Sequence, residues 1–170
     1  MVHVEKATAE EIEVEKVRRI VANCNTVALL ASMATNLQNS KKPHLAGFVI
    51  ECEQKANLLR NDVLLPPPLP EDLHPVDLRE CWLKASAITG KIGSHTLQMV
   101  RRHGYLKSML RQIKSLSRIG TLGFITLKQH NCLQYSAEVL MRKHFSHKLS
   151  QQQIERIDFV LGQAGYAISI

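Results

Sequence analysis

Three histidines and one cysteine near the C-terminus have the spacing that comes closest to a metal site. His130 and Cys132 are separated by one residue, and His144 and His147 by two. Structural zinc sites normally contain cysteine pairs at short spacing, and one thiolate with three imidazoles on helices is uncommon. We therefore expect no metal site and no other cofactor. We interpret these histidines as solvated groups that add positive charge as the pH falls.

No motif of a hydrolytic or phosphate-transferring enzyme is present. The sequence has no Gly-x-Ser-x-Gly elbow, no His-Glu-x-x-His and no Walker loop. Two Gly-x-x-Gly strings, at 90–93 and 120–123, match the loop that clamps RNA in a KH module. That module needs a strand in front of the loop, where this sequence predicts a helix. We predict that the protein is not an enzyme and that both strings are helix ends.

The strongest chemical signal is a long segment without carboxylates. Residues 81–137 hold nine Lys and Arg and no Asp or Glu, and net charge is +10 over 81–170 against −3 over 1–80. Solvated helices usually mix both signs of charge, because i,i+4 pairs stabilise them. A polyanion would balance the repulsion, since each neutralised phosphate releases condensed counterions. An acidic protein partner, including the N-terminal half of another copy, is the competing explanation.

The cations of this segment cluster on one predicted helix, 105–119. Its apolar residues recur at helical spacing on one face, and a row of Lys and Arg lies beside them. With two arginines just before the helix, the candidate RNA-binding residues are Arg101, Arg102, Lys107, Arg111, Lys114 and Arg118. Between Lys84 and Lys128 the only aromatic residues are Tyr105 and Phe124. Base-stacking surfaces need more rings than this, so we expect sequence-independent phosphate contacts with a duplex.

The elements that position these residues are predicted to be helices, about six to eight in an all-α fold. Capping boxes at Thr8–Glu11 and Ser150–Gln153 begin two of them, and Asn23–Asn25 interrupts the first. Gly104 and Gly120 are predicted to end helices, because glycine favours the left-handed conformation there. The segment 123–127 is rich in β-formers and favours either a short strand or the start of a helix.

Consecutive prolines at 66–68 allow only extended, polyproline-like chain. We interpret this stretch as a stiff connector, with a ligand for aromatic-grooved peptide-binding domains as the alternative. The predicted organisation is two helical lobes, 1–63 and a basic 77–170, joined by a proline-rich connector at 64–76.

Composition excludes several classes of protein. The chain has 170 residues, of which 45% are hydrophobic and 22% charged, as in a folded protein and unlike a disordered one. It contains no run of 18 apolar residues and no signal-peptide pattern, so we expect no membrane partner. Four cysteines without a Cys-x-x-Cys pair indicate a reducing compartment.

Five stretches, at 25–30, 36–39, 64–66, 104–111 and 120–126, resemble a known family in their order and spacing. They read NTVALL, NLQN, LLP, GYLKSMLR and GTLGFIT. Over most of its length the chain is similar to the RNA-silencing suppressors of plant closteroviruses.

This resemblance implies an all-helical viral protein that suppresses RNA silencing in the host cytoplasm, self-associates into a homo-oligomer and binds RNA along a basic surface. The reduced cysteines allow the nucleus as a second location, and the adaptor alternative below adds host silencing proteins as partners. Lys107 and Arg111 lie inside a matching stretch, whereas the other four candidates follow from charge alone. The expected function is sequence-independent binding of small RNA duplexes. The alternatives are a non-enzymatic helical adaptor that acts through protein contacts, and a sequence-specific DNA-binding regulator.

Overall fold

Helices make up most of the chain in a computed structural model, which describes residues 7–90, 92–116 and 120–168. Within these ranges there are no strands, so the all-helical prediction is confirmed, and the segment at 123–127 is helical. The eight α-helices there are α1 (Ala9–Asn23), α2 (Val27–Ser40), α3 (Gly47–Leu64), α4 (Leu78–Thr89), α5 (Ser94–Lys114), α6 (Leu122–Gln129), α7 (Ala137–His144) and α8 (Gln151–Gln163). None of these is both long and apolar enough to cross a membrane.

The chain divides into two compact units, Met1–Arg60 and Asn61–Ile170. The first unit begins with the predicted capping box. The Thr8 amide donates to Glu11 Oε2 at 2.7 Å, and the Glu11 amide donates to Thr8 Oγ1 at 3.2 Å. These bonds satisfy amides that the start of a helix leaves without partners. The unit has a small core of buried residues: Val21, Leu30, Ala34, Leu45, Phe48, Cys52 and Ala56.

The second unit has the larger core. In it α4 packs against α6, and α7 packs against both α5 and α8. Leu78, Tyr105, Ile113, Met141 and Ile157 are each 1% exposed or less. The predicted capping box of α8 is present, with the Ser150 amide 2.8 Å from Gln153 Oε1. This core anchors the inner face of α5, whose outer face carries the cations of interest.

Gly104 divides α5 into two arms, 94–103 and 105–114. Its backbone angles are φ 76° and ψ 175°, a region that essentially only glycine occupies. A Cβ atom here would lie 2.8 Å from Leu69 Cδ1 and 3.0 Å from Asp72 Oδ2. Glycine is therefore required both by the conformation and by the close approach of residues 69–72.

A buried carboxylate holds the second arm at this angle. Asp72 is fully buried; its Oδ1 accepts the Leu106 amide at 2.8 Å and its Oδ2 accepts the Leu69 amide at 3.0 Å. Asp72 thus caps an arm that lies 34 residues later in the chain. Hydrogen bonds to a charged group each contribute about 1.5–3 kcal/mol, so this aspartate is a principal determinant of the bend.

The proline-rich segment is bound to the same unit through its carbonyl groups. The Tyr105 hydroxyl donates to the Pro66 carbonyl at 2.7 Å, and Arg79 Nε donates to the same oxygen at 3.2 Å. Arg101 donates to the Leu64 carbonyl at 3.1 Å. Prolines supply no amide donors, so it is the carbonyl oxygens that attach this segment to α4 and α5.

The end of α5 differs from the sequence-based expectation. Helical periodicity predicts that the helix continues to Ile119, but it ends at Lys114 with Ser115 as its C-cap. The Ser115 hydroxyl donates to the carbonyls of Arg111 and Gln112, at 3.3 and 3.1 Å. These bonds satisfy carbonyls of the last turn, which the end of a helix leaves without partners.

Besides Asp72, a second carboxyl group of this unit is buried without a cationic partner among the described residues. Glu138, in the first turn of α7, is 1% exposed, and the Thr121 hydroxyl lies 3.5 Å from its Oε1. Burial raises the pKa of Glu138, although hydrogen bonds from Thr121 and Ser136 act in the opposite direction. The folded chain therefore holds this proton more tightly than the unfolded chain does.

We expect Gly104→Ala to lower the free energy of unfolding by about 2–4 kcal/mol, because the methyl group adds backbone strain and a clash with Leu69. Urea denaturation measures this. Gly162→Ala is the matched control: nothing lies within 4 Å of its added Cβ, so stability should stay equal or rise by up to about 1 kcal/mol. Equal effects of both substitutions would contradict the role given to Gly104.

We expect Glu138→Gln to raise the free energy of unfolding near neutral pH, where ionising the buried carboxyl group destabilises the fold. This gain should fade as the pH drops to about 4, below the ordinary glutamate pKa, because Glu138 is then protonated in both states. Thermal unfolding across this pH range tests it. The exposed Glu155→Gln should show no such trend, and a pH-independent effect of Glu138→Gln would contradict the assignment.

Candidate nucleic-acid interface

The structure places five of the six predicted RNA-binding residues on α5. All five side chains belong to exposed residues: Arg101, Arg102, Lys107, Arg111 and Lys114. The first two lie on the first arm and the other three on the second. The sixth candidate, Arg118, lies outside the described residues.

Two of the five cations have partners within the protein. Arg101 is bonded to the Leu64 carbonyl, as described above, and so contributes to the fold. Lys107 Nζ lies 3.5 Å from Glu71 Oε1, with the two side chains 62% and 44% exposed. An exposed pair of this kind contributes about 0–1 kcal/mol. Lys107 can therefore leave Glu71 and pair with a phosphate at little cost in free energy.

The side chains of Arg102, Arg111 and Lys114 form no ion pair or hydrogen bond in the described parts of the chain. Together with Lys107 they constitute what we call the cationic corner, because they lie on the two arms of a bent helix. Their charges are directed to solvent, where salt or a polyanion is the available counter-charge.

The carboxylates of the second unit are occupied elsewhere, which explains why the cationic corner has so little compensation. Three are paired with other cations: Asp62 with Arg79, Glu80 with Lys84 and Asp158 with Arg142. Of the others, Glu71 is paired with Lys107, and Glu155 accepts a hydrogen bond from Gln151. Asp72 and Glu138 are buried, and Asp77 is the N-cap of α4. Three other lysines of this unit resemble the cationic corner, in that their side chains have no ion pair or hydrogen bond among the described residues: Lys128, Lys143 and Lys148.

The bend brings residues of both arms around one small pocket, which we call the corner pocket. Its volume is about 120 Å³, and it is lined by His95, Gln98, Met99, Arg102, His103 and Arg111. In a straight helix, Arg102 and Arg111 would lie about 13.5 Å apart along the axis and on opposite faces. The turn at Gly104 instead places both guanidinium groups beside the same volume.

The charges at this pocket act on one another. Partial burial lowers the pKa of His103, and the positive charges of Arg111, Arg102 and Lys107 lower it further. His103 therefore gains its proton only at a pH below its ordinary range, unless an anion enters and offsets the three cations.

Sequence reasoning missed the three polar pocket residues other than arginine: His95, Gln98 and His103. They share one face of the first arm with Arg102, at i, i+3, i+7 and i+8 spacing. This periodicity was available in the sequence. The periodicity does not indicate that Arg111 lines the same pocket as these residues, because that depends on the bend at Gly104.

Aromatic side chains are not available for stacking beside these cations. Tyr105 and Phe124, the two rings within this part of the sequence, are 0% and 4% exposed. Tyr105 lies against Trp82, with ring centroids 5.7 Å apart and nearly perpendicular. Both rings are core residues, and the exposed surface of α5 offers charge and hydrogen-bond donors.

Within the described ranges, no three His, Cys, Asp or Glu side chains are grouped so that they could hold a metal ion. No model of a known protein family matches the chain, and neither do the curated proteins or the solved structures with which it was compared. The case for this surface therefore rests on its geometry and charge.

We expect Arg111→Gln to raise the pKa of His103, because it removes one of the three positive charges that disfavour the imidazolium form. A pH titration of the histidine ring resonances by NMR measures the change. His144 is an internal reference, since its pKa is lowered by burial and by Lys143 instead. An unchanged His103, or an equal shift of both histidines, would contradict the proximity of Arg111 to His103.

Proposed function

We propose that the protein binds RNA duplexes through their phosphates, using the cationic corner, and that it acts as a viral suppressor of RNA silencing in the host cytoplasm. The observation that carries the RNA-binding part is a set of exposed cations on a bent helix, in a unit whose carboxylates, apart from Glu71 beside Lys107, are engaged elsewhere. The silencing part is supported by the resemblance to the closterovirus suppressors.

Contact with phosphates is favoured over contact with bases because phosphates neutralise the unpaired positive charges of the cationic corner. Each phosphate that a Lys or Arg neutralises releases counterions from the nucleic acid, and this contributes affinity that falls as salt rises. Four cations at the bend provide several such contacts within a small area. Lysine and arginine side chains in this arrangement fix the position of a backbone but carry no sequence information.

A duplex is favoured over a single strand because, among the described residues, no aromatic side chain is exposed beside the cations of α5 for bases to stack on. Single-strand binders place exposed aromatic side chains among their cations, and bases stack on them. Here the two candidate rings are in the core. A duplex keeps its bases stacked and presents phosphates and 2′-hydroxyl groups to a protein that recognises shape.

The adaptor function remains a second candidate, and one observation favours it. The first unit exposes several large apolar side chains, including Ile12 (60%), Ile20 (48%), Leu29 (58%) and Ile50 (52%). Exposed apolar surface is a common feature of protein contacts and of self-association. Under this function, an RNA titration would show no binding at moderate salt, and Ile12→Ser with Ile20→Ser would abolish concentration-dependent oligomers in sedimentation.

For the RNA proposal, we expect the triple substitution Arg102→Glu, Arg111→Glu and Lys114→Glu to weaken binding of a short RNA duplex about 100-fold or more. The slope of log K against log salt should become shallower by about 0.7–0.9 for each phosphate that the variant no longer neutralises. Fluorescence anisotropy at several salt concentrations measures both quantities. Circular dichroism should show an unchanged fold, because these side chains have no described partner to lose.

The matched control replaces Lys16, Lys41 and Arg60 of the first unit with Glu, which changes the net charge by the same amount. We expect this variant to keep most of its affinity, since these residues lie outside the cationic corner. Equal loss of affinity in the two variants would mean that overall charge, and not this surface, binds RNA. A wild-type protein that discriminates strongly between duplex sequences would contradict recognition through phosphates.

A further inference from the structure

The corner pocket has a composition that differs from the rest of the cationic surface. It is lined by two arginines, two histidines, one glutamine and one methionine, and by no carboxylate of the described residues. Each arginine has a planar fork of donors that suits two oxygens of one phosphate or carboxylate group. The side chain of Gln98 adds a neutral donor. The pocket thus brings together donor-bearing residues of both arms, whereas Lys107 and Lys114 do not line it.

The size and the lining of the pocket suit a small anionic group. At about 120 Å³, it has room for several water molecules, and a phosphate group fits in that volume. The described lining contains two arginines and no carboxylate, so it favours an anion over a neutral ring. The pocket is open to solvent, so whatever carries the anionic group can remain outside it.

We infer that the corner pocket binds a phosphomonoester, such as the terminal phosphate of an RNA strand or the phosphate of a free mononucleotide. A phosphomonoester near neutral pH has three strong acceptor oxygens and a charge of about −1.5 to −2. That charge offsets the repulsion between Arg102 and Arg111 and favours the protonated form of His103, whose ring then donates as well. In its RNA form this inference rests on the proposed function.

A bridging phosphodiester suits the pocket less well. It carries one negative charge, and two ester bonds continue from it in different directions. These two ester bonds leave two oxygens free to accept hydrogen bonds, whereas a phosphomonoester has three. A terminal phosphate has one ester bond and enters head-on. The same protein thus has two kinds of contact: lysines for the backbone of a strand and the pocket for its end.

The test compares two RNA duplexes of identical sequence, one with 5′-phosphates and one with 5′-hydroxyl groups, each titrated against the full-length chain. We expect the phosphorylated duplex to bind about tenfold more tightly, as one added charge-assisted contact would produce. In Arg102→Gln this preference should disappear. Arg102 is exposed and has no described partner, so the variant should fold.

Lys114→Gln is the matched control, because Lys114 belongs to the cationic corner but does not line the pocket. It should weaken binding of both duplexes equally and keep the tenfold preference. Equal binding of the two duplexes by the wild-type chain would overturn the phosphomonoester inference while the RNA proposal stands. A preference that survives Arg102→Gln would place the terminal phosphate elsewhere and would also overturn it.

A second measurement decides the inference if the chain binds neither duplex, which would overturn the proposed function. The ring resonances of His95 and His103 are followed by NMR while adenosine 5′-monophosphate is added, with adenosine as the control. Shifts with the monophosphate alone support the pocket independently of RNA; no shift overturns it. Shifts with the monophosphate in a chain that binds neither duplex identify a free mononucleotide as the source of the phosphate, whereas a preference for the phosphorylated duplex identifies an RNA end.

Discussion

The hydrogen bond from the Leu106 amide to Asp72 Oδ1, 2.8 Å long and fully buried, determines where the cations of this protein lie. It caps the second arm of α5 with a carboxylate that comes from a 3-10 turn, Pro70–Asp72, far earlier in the chain. The arm can start only where that carboxylate is, and Gly104 supplies the backbone conformation that reaches it. Without the bend, α5 would be a straight helix with arginines on opposite faces. With it, two arginines share one pocket.

The same unit shows how a basic surface can remain uncompensated in a stable fold. Its acidic side chains stabilise the unit in specific ways: they cap α4 and α5, pair with Arg79, Lys84 and Arg142, or lie in the core. These tasks use the carboxylates that could otherwise have neutralised α5. Self-repulsion at the bend is modest, because water and salt screen exposed charges. An anion that enters the pocket would meet two arginines whose helix arms the fold already holds in place, so only their side chains need ordering on binding.

The parts of this fold that could be predicted from sequence are those that depend on neighbouring residues. The capping boxes at Thr8 and Ser150, and the glycine that interrupts α5, each follow from a few adjacent side chains. The corner pocket could not be predicted, because it depends on the contact of Gly104 with Leu69 and Asp72. Lys107 shows the same limit: its charge and exposure were predictable, but its partner Glu71 is 36 positions away in sequence. The early end of α5 at Lys114 is likewise not indicated by helical periodicity, which locates a helix better than it locates the end of one.

The contact between Tyr105 and Pro66 has an optical consequence. Burial raises the pKa of Tyr105 to about 12, so this phenol stays protonated in the native state after an exposed tyrosine has begun to ionise. Alkali therefore weakens the fold, since unfolding frees a phenol that can then lose its proton. The single tryptophan of the chain, Trp82, lies edge-on to the same ring. Its intrinsic fluorescence is consequently a label-free signal, built into the native protein, for the detachment of the proline segment from the hinge of α5.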